Sequence, residues 1–213
     1  MSITTLTKKE RVFFETLSTK KKIQNFLDTI SFNHELDGET VMSPKIVLQT
    51  KRAHCIEGAM VAGVALWLHD RPPLIVNLKV KKNDYDHIIT IFKEGNYYGA
   101  ISKTNHNVLR YRDPVYKSIR ELVMSYFHEY FLTTTGEKTL LGYTKPINLK
   151  KFGTKWITSE KNLWDIAAKI YDTPIIEIIP KESRKYLRCA NKTEILVREI
   201  IILPLLGQHR RPS

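Results

Sequence analysis

Cysteine is scarce in this chain: Cys55 and Cys189 are the only two, 134 positions apart. With no basic n-region, apolar h-region and small-residue cleavage site in "MSITTLTKKERVFFETLSTKKK", export is not indicated, so the expectation is two reduced thiols in a cytoplasmic protein. Long apolar runs are missing as well. Ala59 to Leu68 and Ile195 to Leu206 are too short or too interrupted for a spanning helix, which needs about 20 apolar residues, so no membrane span is expected. The histidines at 34, 69, 106, 128 and 209 form no HxxxH, HExxH or CxxC set, and neither GxxxxGK[ST], GxGxxG nor an acidic calcium loop occurs. The expectation is therefore no metal, no phosphate-loop nucleotide and no other cofactor. Internal repeats and low-complexity segments are absent too.

Basic residues are plentiful, 34 Lys and Arg against 22 Asp and Glu, for a net charge of +12. Such a surface attracts phosphates, anionic membranes or acidic protein surfaces. The charge is dispersed in pieces such as "KKE", "KVKK" and "HRRPS" and lacks an RNP-type aromatic motif. It reads as general solvated basicity ahead of a dedicated nucleic-acid face. Hydrophobic residues make up 42%, enough to bury a sizeable interior.

Apolar spacing through Val12, Phe13, Leu17, Ile23, Phe26, Leu27 and Ile30 predicts two helices separated by a Ser-Thr pair. "HELDGETVMSP" follows as a loop, with Pro44 opening the next element. From Ile56 to Leu68, apolar and small residues cover most of a helix circumference, which predicts a central helix buried on nearly all sides. "LIVNLKV" reads as a strand, and "HIITIF", "KEGN" and "YYGAIS" as a hairpin turning at Gly95. In "RDPVYKSIRELVMSYFHEYF" Asp113 is positioned to cap a helix that Pro114 begins. Later, "TLLGYTKPINL" reads as an extended arm, "SEKNLWDIAAKIY" as a helix capped by Ser159 and "TPIIEIIP" as a strand, while "EILVREIIILPLL" fits helix or strand. The resulting division is an N-terminal helical segment (1–42), a core (43–132) and a C-terminal extension or small lobe (133–213).

Cys55 stands where the central helix begins, behind Lys51, Arg52 and His54. A helix start carries unpaired N–H groups and the positive end of the dipole, which favour a thiolate. His87, 32 positions on, begins a strand, and imidazole is suited to take a thiol proton near neutral pH. The hairpin brings residues near Ser102 opposite His87, so Ser102 by position and Asn105 by chemistry are the candidates to orient the ring. Gln49 is a weaker candidate for an oxyanion donor beside the Cys55 N–H.

Each signal has a plainer reading. A lone buried cysteine is ordinarily a small apolar filler, and it is the order of helix start, basic flank, "DH" strand and hairpin that favours a nucleophile. Asp86 is expected on the strand face opposite His87, and His54 as a loop side chain that tunes local charge, since neighbours on a helix point apart. Glu57 reads as a cap of the helix start and Cys189 as a spare thiol.

"C-x-E-G-A" opening a buried helix, then "LIVNLKV", "DH" beginning a strand, an "EGN" hairpin and "YYGAIS" resemble the core of the transglutaminase-like superfamily of cysteine enzymes, over approximately residues 43–131. The resemblance implies an α+β, papain-like core with its central helix packed on an antiparallel sheet, Cys55 as nucleophile and His87 as base. Family members often carry an aspartate four residues after a hairpin tryptophan; here the aromatic is Tyr98 and the corresponding residue is Ser102. A glycine common shortly before the cysteine is replaced by Ala53 and His54. The implied function is thiol-dependent acyl transfer, with hydrolysis of a peptide or amide bond favoured over amine transfer. The alternative is a catalytically impaired module of the same fold that holds an acidic partner or nucleic acid on its basic surface.

Overall fold

The computed structural model describes residues 3–200. Positions 201–206 of the last apolar run lie outside them; its first part, from Glu194, lies in the helix Lys192–Ile200 (α7 below).

Two helices open the chain, α1 (Lys8–Thr16) and α2 (Lys20–Thr29), with Thr7 and Thr19 accepting at their starts from the N–H groups of Glu10 and Lys22. Strand β1 (Ser31–Phe32) precedes the loop, and Ser43 caps α3 (Pro44–Thr50) with Pro44 in its first turn. Lys51 ends α3 in the left-handed conformation, φ 54°. That turn sends β2 (Arg52–Ala53) back parallel to β1, pairing Ser31 with Arg52 and Phe32 with Ala53. The short ladder fixes the approach to the central helix.

The central helix, α4 (Cys55–Leu68), is buried at every residue from Ile56 to Trp67. With no polar face to offer water, it is held by tertiary packing, and each large side chain it buries stabilises the fold by about 1.5–3 kcal/mol. Gly58 marks its tightest contact: a Cβ there would stand 2.3 Å from the Lys103 Cβ.

Strands β3 (Leu74–Val80), β4 (His87–Glu94) and β5 (Tyr97–Ile101) form an antiparallel meander, with Gly95 at φ 55° in the hairpin turn. Next come β6 (Arg112–Tyr116) and α5 (Ile119–Met124), then β7 (Leu140–Thr144), β8 (Ile147–Asn148), α6 (Trp164–Tyr171), β9 (Ile175–Glu177) and α7 (Lys192–Ile200). The main sheet has the order β6-β5-β4-β3-β7-β9, and β8 also pairs with β3. The protein is therefore α+β, built on one large antiparallel sheet. Alternation divides the strands between two cores: Ile75, Ile88 and Phe92 pack with α4, while Val76, Leu78, Ile89 and Ile91 pack on the other face with Leu122, Tyr126 and Tyr130. Residues from 133 onward supply β7, β8 and β9 to this same sheet.

Two expected caps fall elsewhere. Asp113 and Pro114 lie in β6, an edge strand where a proline removes no inner ladder bond, and the helix begins only after Ser118, which caps Glu121 N at 3.1 Å. Ser159 does not cap α6; Leu163 precedes its first residue, and the Ser159 hydroxyl turns to the Lys161 carbonyl at 2.8 Å. No helix among the described residues is long and apolar enough to cross a membrane.

Candidate active site

Cys55 is the first residue of α4 and is partly exposed in a cleft of about 630 Å³ that His54, His87, Asn105 and Tyr130 also line. Both imidazoles line the cleft with it and favour its thiolate. Burial works to raise the thiol's pKa, but the hydrogen bonds and positive charge of His54 and His87 outweigh it and bring it down to about 5. In the same way, burial works against a charge on His54, yet the bond to Cys55, the charges of Glu57 and the sulfur, and the Thr40 carbonyl hold its pKa up at about 9. The expectation that His54 only tunes charge from a loop is corrected: as the residue just before the helix it is not subject to helical side-chain divergence, and its ring reaches the neighbouring sulfur.

The ring nitrogens have defined partners. His54 Nε2 lies 2.9 Å from the Thr40 carbonyl, which can only accept, so Nε2 carries a proton. His87 Nε2 lies 2.7 Å from Ser102 Oγ, whose single proton goes to the Leu109 carbonyl at 2.6 Å. Ser102 must then accept, which makes His87 Nε2 the donor and leaves Nδ1 as the nitrogen that addresses the thiol. Of the two orienting candidates, Ser102 therefore does the holding. Asn105 lines the cleft, but among the described residues it makes no hydrogen bond to the ring. The strand register explains this: Thr90 faces Ile101, so Ser102 lies on the diagonal from His87 and Asn105 falls in the loop beyond the strand.

Ser102 is itself clamped by a residue the sequence did not flag. Gln24 of α2 accepts from Ser102 N at 3.0 Å and donates to the Ser102 carbonyl at 2.9 Å, so one side-chain amide fixes both backbone polar groups of that residue. Beside it, Lys103 closes the end of α2 by donating to the carbonyls of Leu27 and Ile30 at 2.8 and 2.6 Å, and burial pushes its pKa down to about 8. The i,i+4 apolar stripe that marked α2 says nothing of a polar residue between its members reaching a strand 78 positions away.

Glu57 is fully buried and caps α4 as expected, accepting from His54 N at 2.9 Å. It also accepts from Met42 N and Thr40 Oγ1, both at 2.8 Å, and from Asn33 Nδ2 at 3.3 Å. Asp86 is engaged as expected away from the His87 ring, with Asn77, Lys79 and Val80 N. Gln49 is corrected: it is exposed on α3 and forms no part of the cleft wall, because the left-handed turn at Lys51 separates α3 from the start of α4. Tyr130, by contrast, was not foreseen. It is 1% exposed, it lines the cleft, and its hydroxyl is buried without a hydrogen-bond partner among the described residues. Trp164 and Tyr171, the two ends of α6, complete the wall from the C-terminal third of the chain.

Cys189 is exposed and outside this cleft. Among the described residues no group of three His, Cys, Asp or Glu could hold a metal ion. Compared with known proteins, the chain matches no family model and no curated protein.

Proposed function

We propose that the chain is a thiol-dependent acyl-transfer enzyme of transglutaminase-like, papain-like type, acting chiefly as a hydrolase of a peptide or amide bond. The observation that carries this reading is Cys55 at the start of α4 in one cleft with His54 and with a His87 ring held at its far nitrogen by Ser102. A structural cysteine has no use for two imidazoles in its cleft, whereas a nucleophile needs its thiolate present at neutral pH.

The thiolate attacks the carbonyl carbon of the amide, and the carbon's π electrons move to oxygen. His87, protonated at Nδ1, gives that proton to the departing nitrogen, and a thioester on Cys55 remains. Water then loses a proton to the same Nδ1 and attacks the thioester, restoring the thiolate. His54 keeps a positive charge beside the sulfur throughout and is a positioning residue. Ser102 holds the His87 ring by its other nitrogen. A hydroxyl holds the ring as a carboxylate would but contributes no negative charge. The backbone N–H of Cys55 and the Tyr130 hydroxyl are the donors available to the developing oxyanion.

The test is an activated acyl ester, p-nitrophenyl acetate, followed in a stopped-flow instrument and by intact-mass spectrometry. The expected result is a burst with one acetyl group on Cys55 and slower turnover. Cys55→Ala abolishes both, and His87→Ala lowers turnover by roughly 10²–10⁴-fold. Ser102→Ala leaves the adduct intact but lowers turnover less than His87→Ala does. Absence of any Cys55 adduct in the wild-type chain would sink the enzyme reading and favour a binding module on the same fold.

A further inference from the structure

The cleft differs in charge from the rest of the molecule. Against a net charge of +12, its wall carries the carboxylates of Glu35, Glu39, Asp84 and Asp86, and among the described residues Lys103 is its sole lysine or arginine. The Lys103 ammonium is spent on the Leu27 and Ile30 carbonyls, as described above. Asp86 is paired with Lys79 at 2.8 Å, and Glu35 stands 3.5 Å from His54. Among the described residues no cation lies within ion-pair distance of Glu39 or Asp84, and the donors to Asp84 are neutral, Thr139 Oγ1 at 2.5 Å and Tyr85 N at 2.8 Å. Neither charge is balanced by a cationic partner there.

Two further observations point to a ligand. Tyr85, between Asp84 and Asp86, is 89% exposed, and Trp164 at the cleft wall is 47% exposed, so ring faces that bind cations well line the same cleft as these carboxylates. Deeper in the cleft, the Tyr130 hydroxyl is buried without a partner, an orphaned donor that a native protein keeps only where a ligand or water completes it. Burial and then the charges of Cys55, Asp84 and Asp86 hold its phenol neutral, and therefore a donor, far above neutral pH.

We infer that the cleft selects an acyl donor with a cationic flank: a peptide whose scissile carbonyl sits between Cys55 and Tyr130 and whose adjacent lysine or arginine side chain reaches Glu39, Asp84 and the rings of Tyr85 and Trp164. Carboxylates and exposed rings recognise a cation by charge and cation–π attraction, and they repel an acidic flank. This inference rests on the acyl-transfer reading for the identity of the group attacked.

Charged methanethiosulfonates test it in a Cys189→Ser chain, leaving Cys55 as the single thiol. The thiolate attacks the reagent's sulfenyl sulfur, a disulfide forms and methanesulfinate leaves, whatever the reagent's charge. Rates are measured for the trimethylammonioethyl, sulfonatoethyl and uncharged methyl reagents at about pH 6.5, each divided by its rate with 2-mercaptoethanol. The cationic reagent is expected to be favoured over the anionic one by about tenfold at low salt, and by much less at about 0.5 M salt. Glu39→Gln combined with Asp84→Asn is expected to reduce the preference several-fold. A normalised ratio at or below one in the wild-type chain overturns the inference. The uncharged reagent keeps the two readings apart: if it reacts at pH 6.5 only as an ordinary thiol would, the nucleophile reading fails, whereas fast uncharged labelling with no charge preference removes the cationic-flank inference alone.

Discussion

Alkylation of Cys55 by iodoacetamide is expected to reach half of its plateau at about pH 5 and to stay nearly flat to about pH 8, where an ordinary thiol still gains tenfold per pH unit. The sign follows from the depressed pKa: the thiolate is present above that value and is lost as pH falls through it. At about pH 6 an ordinary thiol with a pKa near 8.5 is roughly 0.3% ionised, while Cys55 is roughly 90% ionised. That ratio of roughly 300 is not the rate advantage, because nucleophilicity falls with pKa at a Brønsted slope of about 0.4–0.5. Over about 3.5 units this takes back roughly 40-fold and leaves an advantage of roughly tenfold. The shape of the profile is thus a sharper readout than the rate. His54→Ala and His87→Ala should each move the inflection up by a unit or more, since each removes a hydrogen bond and a charge from the sulfur. In the wild-type chain a second, smaller rise is expected near pH 9, as His54 loses its proton and the thiolate becomes more basic. An inflection above about pH 8 in the wild-type chain would contradict the two-imidazole arrangement.

Glu57→Ala is expected to lower stability by about 3–5 kcal/mol, seen as a fall in Tm of about 10 °C by circular dichroism. The carboxylate is fully buried and accepts from His54 N, Met42 N, Thr40 Oγ1 and Asn33 Nδ2. Truncation leaves these donors without an acceptor in the interior, at about 1–3 kcal/mol for each that water cannot reach. It also removes a carboxylate 3.4 Å from His54 that holds the imidazole's pKa up, so the second rise near pH 9 should move to lower pH along with the fall in the melt. Glu57→Gln keeps one acceptor oxygen and should fall between. A melt shifted by less than about 2 °C for the alanine variant would show that this network does not hold the start of α4.

Where a segment's structure is set by its own residues, the sequence was readable. The helical spacing before residue 31, the proline opening an element at Pro44, the apolar run of α4 and the Gly95 hairpin all appear at the expected places. Misreadings arose where a local signal meets a tertiary demand. Asp113-Pro114 is a good helix start in isolation, but those residues complete the edge of the sheet beside β5, pairing Arg112 with Ala100 and Tyr116 with Tyr98. Gln49 is near Cys55 in number and distant in direction, since one left-handed residue intervenes.

Capping, periodicity and turn chemistry act over a few residues, which is why a cysteine beginning an almost wholly apolar helix and a histidine beginning a strand of a meander could be read from the residues themselves. Which groups meet the sulfur and the rings came from long-range packing: His54 beside Cys55, Ser102 rather than Asn105 on His87, Gln24 behind Ser102, and Tyr130 and α6 across the cleft. Those contacts join residues up to more than a hundred positions apart, and a hydrogen bond between such groups depends on the packing of the sheet against its helices, which no local pattern encodes.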